Sequence, residues 1–136
     1  MKDKYKHIFF ELIIFGMIYY LGVKTFKDEY LFQWVVHNYK FFLGMISIPI
    51  IIILFNQKIL SSFVSAGITL GIFIGNFGGE ILRNINLNKI VEGMTQEEIY
   101  MLRSHKGFYI MMVTIIIFTA FGIIFQIKAN KQKFNK

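Results

Sequence analysis

Five side chains carry the chemistry that this sequence could gather in one place: Asn76, Glu80, Arg83, Arg103 and His105. A carboxylate, two guanidiniums and an imidazole could bind an anionic headgroup or relay a proton. Asn76, Glu80 and Arg83 stand four and three residues apart, so a helix puts them on one face. Thr69, seven residues before Asn76, falls on that face too. Two readings of Glu80 and Arg83 are open: a salt bridge closing the helix end, or part of this polar site.

A second acid, Glu11, stands in an apolar run with His7 and Lys4 spaced four and three residues apart before it. It reads either as a boundary glutamate paired with His7 and Lys4, or as a proton- or cation-binding carboxylate, the default reading of an acid inside a membrane segment. The third histidine, His37, completes no pair for haem at matching depth with any but His105. No metal-ligand cluster, phosphate loop or Ser-His-Asp arrangement is present. The glycines of GNFGGE follow no strand, so they do not form a phosphate cradle. The chain has no cysteine, which excludes thiol catalysis, thiolate metal sites and disulfides. The sequence names no cofactor and requires no enzymatic role.

The elements that must position these residues are membrane helices. The 136 residues are 55% hydrophobic, with mean hydropathy +0.54. The apolar residues fall in four blocks, and about 20 helical residues cross a bilayer core of about 30 Å. The expected fold is all-α, a single domain of four transmembrane helices over about 6–25, 36–55, 59–83 and 107–127. A polar loop, 84–106, and a disordered basic tail, 128–136, complete it. The second span borrows from an aromatic interfacial lead-in with Tyr30, Phe32, Trp34 and Tyr39, and Pro49 is expected to kink it. Asn56-Gln57-Lys58 is a tight turn that makes spans two and three an antiparallel hairpin. In the polar loop, Thr95 and Glu98 have the spacing of a capping box, so a short helix begins there.

Gly67, Gly71, Gly75 and Gly79 recur every four residues in the third span. Each step of four advances about 40° beyond a full turn, so the glycines wind as a slanted groove, a glycine zipper suited to close helix packing. Its partner is either another helix of the same bundle or a second membrane protein.

Net charge is +7, but the basic residues flank the apolar blocks and act as topology signals rather than a nucleic-acid surface. Four crossings put both termini on one side. That side holds eight Lys and one acid, against seven Lys or Arg and five acids on the other. The clusters at the termini favour a cytoplasmic location for both in a cell membrane. Thirteen of the fifteen basic residues are Lys, a usage typical of AT-rich bacterial genomes. The sequence therefore points to a small multi-pass membrane protein acting through helix–helix contacts, such as an accessory subunit or immunity-type factor. Its partners would be the lipid bilayer and a second copy or a larger membrane protein. The alternative is a small oligomeric transporter or channel using Glu11 and Glu80.

Overall fold

The computed structural model describes residues 2–134, with the side chains of residues 3–132. The described residues form six helices and no strand: α1 (Lys2–Lys24), α2 (Tyr30–His37), α3 (Tyr39–Leu54), α4 (Lys58–Leu87), α5 (Gln96–Arg103) and α6 (Gly107–Phe134). Three of them, α1, α4 and α6, are long and apolar enough to cross a membrane, and α2 with α3 makes up to a fourth crossing if the bent pair counts as one span.

The expected continuous helix from Val36 to Phe55 is replaced by two helices that meet at 91°. The break falls at Asn38, whose side chain donates to the Trp34 carbonyl at 2.9 Å and closes α2. α3 then runs through Pro49 as one helix, so the sharp bend lies eleven residues before the proline expected to cause it. Asn56 takes a left-handed conformation, φ 62°, in the α3–α4 turn, which asparagine tolerates better than most residues. The capping box forms as expected. Thr95 N–H donates to Glu98 Oε2 at 2.8 Å, and Glu98 N–H donates to Thr95 Oγ1 at 3.3 Å. The tail expected to be disordered instead continues α6 to Phe134. Lys128-Ala-Asn-Lys-Gln contains no breaker, its Lys, Ala and Gln are good helix formers, and lysines suit a helix C-terminus. Asn135 and Lys136 lie outside the described residues.

α4 is the hub. It packs against all five other helices, whereas α1 and α6 make no contact with each other among the described residues. The buried stripe of α1 is Glu11, Phe15, Ile18 and Gly22, at helical spacing. The core joins Phe15 and Ile18 to Leu31, Phe32 and Val35 of α2, Phe42 and Ile46 of α3, and Val64, Ile68 and Ile72 of α4.

The glycine stripe is where α6 lies. Gly67 and Gly71 face Phe118, Ile115 and Met111. A methyl group added at Gly75 would stand 2.5 Å from the Gly107 carbonyl oxygen and 2.7 Å from Leu31 Cδ1, and one at Gly79 would collide with His105 and the Gly107 backbone. Of the two partners open to the stripe from sequence, the chain's own α6 takes all four glycines and leaves none exposed to a second protein.

Three helix ends are completed by side chains from other helices. An α-helix starts with unpaired N–H groups, which are costly to leave open in lipid. Neither α2 nor α4 has a side-chain cap of its own. The Asn76 side chain accepts from Leu31 N–H at 3.0 Å at the start of α2. Gln126 of α6 accepts from Ile59 and Leu60 N–H at 3.1 and 3.3 Å at the start of α4. At the opposite kind of end, Lys4 Nζ donates to the Leu54 carbonyl at 3.2 Å and closes α3. The starts of α1 and α4 and the ends of α3 and α6 thus share one end of the bundle.

Gly75→Ala should destabilise the chain in detergent by about 1–3 kcal/mol, the usual cost of overpacking. Gly44→Ala, where a methyl meets nothing within 4 Å, should be neutral or stabilise by up to about 1 kcal/mol. Thermal unfolding of the two variants side by side checks the pair.

Candidate functional sites at the two ends of helix α4

The five residues singled out from sequence do not form one cluster. Asn76 is fully buried and committed to structure: its carbonyl caps α2, and its amide donates in a short bond to Glu29 Oε2. Arg83 donates to Glu80 Oε2 at 3.5 Å, with both side chains nearly half exposed. His105 joins them, its Nε2 3.8 Å from the same Glu80 oxygen. Arg103 is exposed and pairs with no described residue. Glu29 and Tyr30, which sequence reasoning did not include, complete the group, because the α1–α2 connection folds back over the end of α4.

His105 is held on every side. Its side chain is 6% exposed, its ring stacks on Tyr30 with centroids 4.2 Å apart, and Nδ1 accepts from Gly107 N–H at 3.0 Å, capping the first turn of α6. Burial pushes its pKa below the ordinary imidazole range. The Glu80 carboxylate opposes that shift, Arg83 adds to it, and the Asn76 backbone and Glu29 oppose it. A proton on Nδ1 would set two donors against each other at Gly107.

The second site lies at the other end of α4, around Glu11. Glu11 is 4% exposed and forms no ion pair with Lys4 or His7 among the described residues. Its partner comes from α4: Ser61 Oγ stands 2.7 Å from Glu11 Oε1 and 2.9 Å from the Pro49 carbonyl of α3. A serine hydroxyl has one proton to give. Both contacts are satisfied together when Glu11 carries a proton and donates to Ser61, which then donates to Pro49. An ionised Glu11 takes the Ser61 proton and leaves the Pro49 carbonyl facing an oxygen.

The other carboxylate oxygen, Glu11 Oε2, has no partner, and neither do Ser65 Oγ and Thr69 Oγ1. All three residues line a cavity of about 330 Å³ between α1 and α4, with His7 and Phe10 among its other walls. Unpaired buried hydroxyls are unusual, and the other serines and threonines inside the described helices are paired, whether buried or exposed. Ser47, Ser62, Thr114 and Thr119 all donate back to carbonyls of their own helices. Ser61, Ser65 and Thr69, at a four-residue spacing on α4, are the serine and threonine hydroxyls of the described helices that do not. That spacing was legible in the sequence. Thr69 was grouped instead with Asn76, which does share its face of α4, but the face meets α1 at Thr69 and α2 at Asn76.

No family model, curated protein or solved structure matches this chain.

The lowered pKa of His105 has a sign. The fold favours the neutral ring, so between its lowered value and about 6.5 the folded chain binds fewer protons than the unfolded one. The contribution is complete above about pH 6.5 and is lost as pH falls through the folded-state value. Melting temperature should therefore drop more steeply below pH 6.5 in the wild type than in His105→Asn. Parallel curves would remove His105 as the cause.

Proposed function

We propose that this chain is a small ion-handling membrane protein, a transporter or channel component, whose working group is Glu11. The observation that carries the proposal is the cavity between α1 and α4, where one oxygen of a buried carboxylate and two hydroxyls converge without partners. Ionisable groups inside membrane helices are costly to hold, and they mark ion paths and proton relays. The contact-based reading drew its motive from the glycine stripe, and α6 covers that stripe.

The topology that goes with this reading has four crossings. α3 rises about 24 Å over its 16 residues, short of a bilayer core of about 30 Å. α2, bent 91° from α3 and with Leu31, Phe32 and Val35 buried, is taken as the other part of one broken span. Both termini then lie on one side, and the lysines around the bundle end that holds Lys4 and Lys58 favour the cytoplasm. Glu11 sits about 10 Å along α1 from Lys4, within reach of that side.

A second reading, an accessory or immunity-type protein acting through helix contacts, keeps one observation in its favour. An apolar groove of about 290 Å³ runs between α3 and α6, lined by Met45, Ile52, Leu60, Val64 and Ile115.

Proteoliposomes with imposed sodium and proton gradients separate the two. The ion-handling reading expects flux that Glu11→Gln reduces by at least about tenfold, the loss expected when a charged ligand is removed from a buried site. Glu80→Gln should stay near wild type, since Glu80 is half exposed and engaged by Arg83. Flux that survives in Glu11→Gln, or wild-type vesicles no leakier than empty ones, would favour the second reading.

A further inference from the structure

We infer that the Glu11 cavity binds a single monovalent cation in exchange for the Glu11 proton, with Glu11 Oε2, Ser65 Oγ and Thr69 Oγ1 as its oxygen ligands. The inference deepens the ion-handling role and rests on it for purpose alone, because the site can bind where no flux follows.

The donor set decides the class of ligand. One carboxylate and two hydroxyls are hard oxygen donors, suited to sodium-like ions or to the three N–H groups of a primary ammonium. One negative charge neutralises one positive charge. A divalent ion would keep an uncompensated charge inside an apolar shell, which is costly. The remaining walls are Ser62, His7 and the apolar Phe10, Ile14, Ala66 and Leu70, and the apolar ones would keep the ion partly dehydrated.

The exchange is balanced. With a proton on Glu11 in the empty state, Oε1 would donate to Ser61 and leave the Ser61 proton for Pro49. When the cation M⁺ arrives, Glu11–CO₂H + M⁺ gives Glu11–CO₂⁻·M⁺ + H⁺. Ser61 remains hydrogen-bonded to Oε1 while Oε2 faces the cation. His7, exposed at the rim of the cavity, is its one other titratable wall residue and stands where the released proton would leave. α4 brings only hydroxyl and apolar side chains to the cavity, α3 brings the Pro49 carbonyl, and Lys4 is engaged by Leu54.

Dicyclohexylcarbodiimide tests the exchange, since it adds to protonated carboxyls in apolar surroundings and leaves ionised ones. The full-length chain in phosphatidylcholine vesicles is treated in choline chloride, sodium chloride or methylammonium chloride, and the modified residue is located by peptide mass spectrometry. Glu11 should be labelled in choline, and half-exposed Glu80 should not. A cation at about ten times its dissociation constant should cut the Glu11 rate about tenfold. Protection by sodium would assign a metal ion, and protection by methylammonium alone would assign an ammonium group. Ser65→Ala and Thr69→Ala should keep the labelling and lose the protection, which separates ligand loss from misfolding. No labelling of Glu11, an equal rate in all three salts, or full protection in both alanine variants would overturn the inference. None of these outcomes depends on flux.

Discussion

The arrangement depends on how closely α6 can approach α4 at Gly75. With no side chain at Gly75 or Gly107, the two backbones come within reach of each other's carbonyls, and dispersion can hold the pair where lipid supplies no hydrophobic drive between helices. That register sets what happens at both ends of the pair. At one end it brings His105 over Gly79 and against Tyr30. At the other it brings Gln126 onto the open N–H groups of α4.

Because α6 occupies the glycine face, the other faces of α4 are left to α1, α2 and α3. Polar groups there meet the rule that governs any helix bundle in lipid: each must find a partner inside the protein. Asn76 meets it by capping α2, and Ser61 by linking Glu11 to the Pro49 carbonyl. Glu11 Oε2, Ser65 and Thr69 do not meet it. These three oxygens face one cavity, the space that the proposed cation would fill.

The all-helical architecture was legible because four apolar blocks and one capping box each carry their own local signal. The glycine stripe was legible as a packing face, although nothing in its spacing says which helix fills it. The break at Asn38 was not legible, since aromatic residues run through it on both sides and the one proline lies elsewhere. The polar residues of α4 were read as one track because Thr69 and Asn76 share a face. A helical wheel carries no depth, and α4 meets Glu11 at one level and Glu29 at another. Glu11 was matched to His7 and Lys4 by spacing along α1, whereas its partner Ser61 is fifty residues away. Contacts of that range follow from packing and not from local pattern.

The central claim is that a small cation can reach the hydroxyls between α1 and α4 while the rest of the core stays closed. The absence of native cysteine allows a direct measurement. Ser65→Cys and Ile72→Cys are exposed to silver ion, a thiol-reactive monovalent cation, in intact vesicles, and the unreacted thiols are then counted by alkylation after unfolding. Ser65→Cys should be consumed rapidly and Ile72→Cys, buried in the packed core, should be spared. Equal protection of the two thiols would contradict the account.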